Sequence, residues 1–295
     1  MNRTSWGQLF VHNPMLVEIA RFRRKYLSLR GTGLVTTVFF GAIYGLLLLM
    51  VIRFADNVEP AVVLYAELGL ACFIAPAILH TAIAGEREKR TWDFLLVAPV
   101  TRAQIVVGKF IAAVQGIIAM AVLMLLPLGV TLLGQSARFQ RETWGWDGYS
   151  RPTTGLYDTL LAVLLIATFA IMLCAMTLFF SARCKRSLMA LGASLGAIVV
   201  AFALFPLLTL PLAEDSFEWK FWIELCNLFN PFVAVSHVLD RNPTYYEGAI
   251  PAAFYGWPQI GFYVLATIGF LAWAIKTVHW PDNEKKFIGG KRARG

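Results

Sequence analysis

Glu67 and the charged run from Glu86 to Arg90 are the two places in this chain where side chains stand ready to exchange a proton or to hold a partner. The first is Glu67, an acid lying well inside a long apolar stretch. An ionisable group in hydrocarbon is costly to keep there, which makes Glu67 a candidate pathway residue for substrate, ions or protons. Tyr65 is its near neighbour and no second acid shares the stretch, so a protonated or hydrogen-bonded structural glutamate fits the residues equally well. The second setting is the run Glu86, Arg87, Glu88, Lys89 and Arg90, followed by Thr91, Trp92, Asp93, Leu95, Leu96 and Pro99. Its chemistry is recognition, not bond making. The charges must end an apolar span, because each costs about a few kcal/mol in hydrocarbon. Thr91 can then cap a helix, with Asp93 in the first turn, where the helix dipole favours an anion. Trp92, Leu95, Leu96 and Pro99 recur at i, i+3, i+4 and i+7, and Pro99 stops the helix. Thr101 with Gln104 forms a T-x-x-Q capping box that opens the next helix near Arg102. A plain charged loop needs no apolar stripe; this one would be exposed unless a partner covers it.

Motifs for covalent or phosphoryl chemistry are missing. Gly108-Lys109 and Gly290-Lys291 lack the glycine-rich loop that a nucleotide-binding G-x-x-x-x-G-K-[ST] requires, and neither H-E-x-x-H nor G-x-S-x-G occurs. We therefore expect no catalytic residue, no metal, no cofactor and no ATP hydrolysis in this chain. His12, His80, His237 and His279 are too dispersed for a site, and His80 reads as an interfacial histidine with its hydrogen bonds satisfied.

The segments on either side of these residues belong to a membrane. The chain is 58% hydrophobic, 14% aromatic and 15% charged, where soluble domains are roughly half apolar. Charge-poor segments at about 31–52, 60–84, 103–135, 157–182, 187–213 and 257–278 each approach or exceed the roughly 20 residues that cross a bilayer as a helix. The expected fold is therefore an all-α polytopic membrane protein, a single membrane domain with six transmembrane helices. Of its 26 Lys and Arg, all but Arg53, Arg138, Arg141, Arg151, Lys220 and Arg241 fall on one set of alternate segments. That bias predicts both termini in the cytoplasm, and the net charge of +8 is then a topology signal. The basic residues flank spans and do not gather on one face with stacking aromatics, so no nucleic-acid partner is expected. The tail from 279 to 295 reads as an anchor to anionic headgroups.

Ahead of the first span, Asn13-Pro14 signals a helix start. Met15, Ile19, Phe22 and Tyr26 form one face there while Glu18, Arg21, Lys25 and Ser28 fall on another, as in a helix lying in the membrane interface. The first apolar stretch is too long for a signal peptide and lacks its cleavage site, so it should remain as a span. Cys72 and Cys174 lie in spans, Cys184 inside and Cys226 outside, which excludes an extracellular disulfide within one chain. The largest outer loop, 214–256, is too polar to span and too aromatic for free coil. Short interfacial or re-entrant helices are expected there, one of them after Asn230-Pro231.

Glu86, Arg87, Thr91, Asp93, Leu95, Leu96, Pro99, Ile105, Gly108 and Lys109 stand in an order that closely resembles the ABC type-2 transporter permeases. The resemblance covers the second and third spans by motif and the remainder by layout. Family members often carry Leu-Glu where this chain has Trp92-Asp93. It implies that the segment from Glu86 and Arg87 through Arg90 to Pro99 is a coupling helix seated in a separate P-loop ATPase subunit, which binds the ATP. It implies also a second permease chain, a plasma-membrane location and an export pathway between the permeases. Two other classes remain open. An ion-gradient-driven carrier would use Glu67 and show inverted repeats and broken helices, for which only Pro76, Pro127, Pro206 and Pro211 speak. A non-transporting membrane scaffold would be expected to carry a sizeable soluble domain.

Overall fold

The computed structural model describes residues 42, 44–46, 48–54, 59–90, 101–143, 155–204, 227–239 and 255–278. Among them every regular element is helical and no strand occurs. In chain order these are α1 (Pro60–Leu79), α2 (Ala84–Glu88), α3 (Arg102–Thr143), α4 (Leu156–Arg183), α5 (Ser187–Ile198) running into a π-helical segment (Val199–Leu204), α6 (Pro231–Leu239) and α7 (Trp257–Thr277). Among the described residues four helices are long and apolar enough to cross a bilayer: Pro60–Glu88, Arg102–Gly134, Leu156–Arg183 and Trp257–Thr277. Shorter apolar helices cover Tyr44–Arg53 and Ser187–Phe202. The remainder of the expected first and fifth spans, and the interfacial helix before them, lie outside the described residues.

The central post is α4, which packs against α1, α3, α5, α6 and α7. Its composition allows this. Ala162, Ala170, Ala175 and Ala182 are all buried and let neighbouring backbones approach closely, while Leu165, Ile166, Phe169 and Leu173 fill the space between them. α1 begins with Pro60 in its first turn, where the missing N–H has no intrahelical role. Its buried residues, among them Val63, Leu64, Glu67, Leu68, Ala71, Ala75 and Leu79, recur at helical spacing. On α3, by contrast, Ile118, Val122, Leu123, Leu125 and Leu126 are exposed, a surface that suits hydrocarbon and not water.

α6 follows Asn230-Pro231, with the Asn230 carboxamide oxygen accepting the Phe232 N–H at 3.0 Å as a helix cap. It packs on α4 and α1 through Pro231, Ala234, Val235 and Val238 and so is not merely laid on a surface. Fully buried Gln259, in the first turn of α7, ties that helix to the chain just ahead of α6. Its oxygen accepts the Gly256 N–H at 2.6 Å and its nitrogen donates to Leu228 O at 3.1 Å. Gly256 has φ 110°, which only glycine adopts without strain. Tyr263 donates to Phe229 O at 2.9 Å and meets Phe169 edge-on at 5.3 Å.

Candidate functional site

α1 and α2 are two pieces of one interrupted helix. Pro76 removes a ladder hydrogen bond near the end of α1, and the chain turns through His80 to Ile83 before α2 resumes. His80 folds its ring back, Nδ1 lying 3.0 Å from both Pro76 O and Ala77 O.

A single side chain closes the interruption. The Ser181 hydroxyl, on α4, accepts the Ile83 N–H at 3.0 Å and the Ala84 N–H at 3.1 Å, and donates to His80 O at 2.9 Å. One donor and two acceptors are all that a hydroxyl has, so its capacity is used in full. Gly85 then lets the chain pass close to Thr81, whose Cβ would stand 3.0 Å from a Cβ added at 85.

Three further contacts fix the short α2. Lys109, two turns into α3, donates to Ala82 O at 2.6 Å and pairs with Glu86 at 2.5 Å, both side chains largely shielded from solvent. Arg87 donates to Ala182 O at 2.7 Å, meeting one of the carbonyls that the end of α4 leaves without a helical partner. Ser187, opening α5, donates to Glu88 at 2.6 Å. A charge-assisted bond is stronger than a neutral one, and here two of them point at backbone carbonyls that would otherwise be stranded. Arg90 ends the element. It has φ 56°, the left-handed conformation usual just past a helix end, and its N–H reaches Arg87 O at 3.2 Å.

The chain leaving Arg90 therefore starts from an elbow fastened to α3, α4 and α5. It returns at Thr101, where the capping box is complete: Thr101 N donates to Gln104 Oε1 at 2.8 Å, and Gln104 N to Thr101 Oγ1 at 3.3 Å. Of the residues singled out in the sequence, Glu86, Arg87 and Arg90 lie on this elbow. Thr91, Trp92, Asp93, Leu95, Leu96 and Pro99 fall outside the described residues. Ile105 is buried, and Lys109 supplies the ion pair. Glu67 stands apart from the elbow, on the buried side of α1 with 3% of its surface exposed.

Sequence reasoning passed over Ser181 and Ser187. Nothing in Phe180-Ser181-Ala182 marks the serine, since its role depends on a helix break almost a hundred residues earlier in the chain. No group of His, Cys, Asp and Glu among the described residues could hold a metal ion.

The family described as ABC-2 family transporter protein matches this chain over residues 66–279. No curated protein matches it.

Proposed function

This chain belongs to the ABC-2 family of transporter proteins, membrane permeases that work with an ATP-binding subunit, and on that premise we propose how it is driven. The segment from Thr91 to Pro99 docks on a separate P-loop ATPase, and the elbow at 80–90 passes the resulting displacement to the spans. The carrying observation is the fastening of that elbow. Ser181, Arg87, the Lys109–Glu86 pair and Ser187 tie it at once to α3, α4 and α5. A loop that only joined two spans would need none of these contacts. A part that must transmit force needs several, because a push absorbed by a slack joint biases no equilibrium between states.

ATP is bound and hydrolysed in the partner, and this chain carries no catalytic residue. A second permease chain completes the pathway, substrate leaves the cell, and both termini face the cytoplasm of a plasma membrane. Glu67 is buried within the helix bundle, which favours a structural carboxyl over a gradient-coupled ion site.

The test is a double substitution in the docking stripe. Trp92→Ala with Leu96→Ala removes two anchors of the kind that each contribute about 2 kcal/mol or more to an interface. Membrane yield should stay near that of the parent chain, while a co-expressed ATPase no longer copurifies or loses its substrate-stimulated hydrolysis. Full association together with full transport would reduce Thr91 to Pro99 to an ordinary loop.

A further inference from the structure

We propose that the groove between α4, α5 with its π segment, and α7 is a binding site for one anionic phospholipid, with acyl chain in the groove and phosphate at its basic end. The groove has a volume of about 440 Å³ and is lined by Met172, Met176, Ala201, Phe262, Gly269 and Trp273, with further Ala and Phe side chains and almost no polar surface. A volume of this size falls within the range of small-molecule sites, roughly 300–1,000 Å³. Its surroundings are hydrocarbon, since α4 and α7 are long and apolar enough to span a membrane and α7 also exposes Val264, Leu265 and Ile268.

What selects the occupant is charge at one end. Phe179 and Trp273 lie 4.9 Å apart, which sets α4 and α7 level with each other there. About one helical turn further on come Arg183 and Lys276. Arg186 precedes α5, three turns before the lining residue Ala197 and on the same helical face. All three basic side chains are exposed, and no ion pair involves any of them among the described residues. Glu88, an acid at this end, is engaged by Ser187. Basic groups at the membrane end of a gap between spans recognise phosphate headgroups. A neutral lipid would fill the groove and leave those charges unused; a soluble phosphate would do the reverse. An anionic phospholipid meets both requirements. None of the three basic residues belongs to the elbow, and the site stands whether or not Thr91 to Pro99 docks on an ATPase.

Two variants separate the parts of the site. Gly269→Leu fills the groove, and the structure leaves open space for it, with nothing within 4 Å of a Cβ added there. Arg186→Gln with Lys276→Gln removes two of the charges. The full chain, purified in neutral detergent, is offered an equimolar mixture of phosphatidylglycerol and phosphatidylcholine, and retained lipid is counted by native mass spectrometry. The parent chain should keep one phosphatidylglycerol in preference to phosphatidylcholine, and soluble glycerol phosphate should not displace it. Each basic residue removed should weaken retention of phosphatidylglycerol about fivefold. Gly269→Leu should abolish retention of both lipids. Equal retention of phosphatidylcholine, displacement by glycerol phosphate, or parent-like retention in both variants would overturn the proposal. So would a change of oligomeric state in Gly269→Leu with no lipid lost, which would assign the groove to a second copy of the chain.

Discussion

Ser181 illustrates how much a single hydroxyl can carry. It satisfies two backbone donors and one acceptor at a helix break, all within a bundle that admits little water. Leaving a buried polar group without a partner costs about 1–3 kcal/mol, so Ser181→Ala should lower the thermal midpoint of the purified protein clearly. An unchanged midpoint would mean that water or a shifted backbone replaces the hydroxyl at no cost. Legibility at this scale was uneven. Lys109 could be singled out from its position after Gly108 in a familiar order of residues, and the Thr101–Gln104 box from spacing alone, because both signals are local. Ser181 could not be found, because a hydrogen bond spanning 98 residues leaves no trace in either neighbourhood. Glu67 was visible as an intramembrane acid, yet which way it faces depends on the helices packed around α1.

At the scale of the element, α2 is five residues long and could not persist by its own hydrogen bonds. Tertiary contacts hold it, and Arg90 finishes it in a conformation that costs an ordinary L-residue roughly 1–2 kcal/mol. Arg90→Gly should relieve that cost and raise the thermal midpoint by a few degrees, since the side chain itself is exposed. A lower midpoint would show that the arginine contributes more through its contacts than its backbone loses. The apolar stretches announced α1, α3, α4 and α7 plainly, because a run of about twenty mostly apolar residues admits few other readings. They did not announce the interruption at His80 to Ile83. The stretch reads as continuous through Ala84, and Pro76 by itself is compatible with an intact kinked helix. The π-helical segment was equally silent, since its composition, Val199-Val200-Ala201-Phe202-Ala203-Leu204, would suit an ordinary α-helix.

For the whole molecule, the arrangement of charges predicts sidedness. Cys184 is partly exposed at the turn after α4, whereas Cys72 and Cys174 are buried and should not react. A membrane-impermeant thiol reagent should label Cys226 in intact cells and Cys184 only after permeabilisation. Labelling of both from the same side would remove the six-span arrangement with internal termini. The order of the spans was legible because each is a separate run in the sequence. Which span sits at the centre was not, since the crowding of small residues along α4 acquires meaning only when its neighbours close upon it.

The π-helical segment bears on how this fold tolerates changes in chain length. Such a segment amounts to an α-helix that has accepted one surplus residue. Here the Phe202 carbonyl within it accepts a bond from Asn230, 3.2 Å away at the start of α6. Losing one residue between 199 and 204 would let the helix revert to regular winding with α5 before it undisturbed, at the expense of the link to Asn230, the Phe202 contact with Phe169 and the part of the groove that Ala201 lines. The same loss within α4 would rotate all that follows by about 100° and turn its packed face towards lipid. Length can therefore drift at this segment while the central post stays fixed residue for residue.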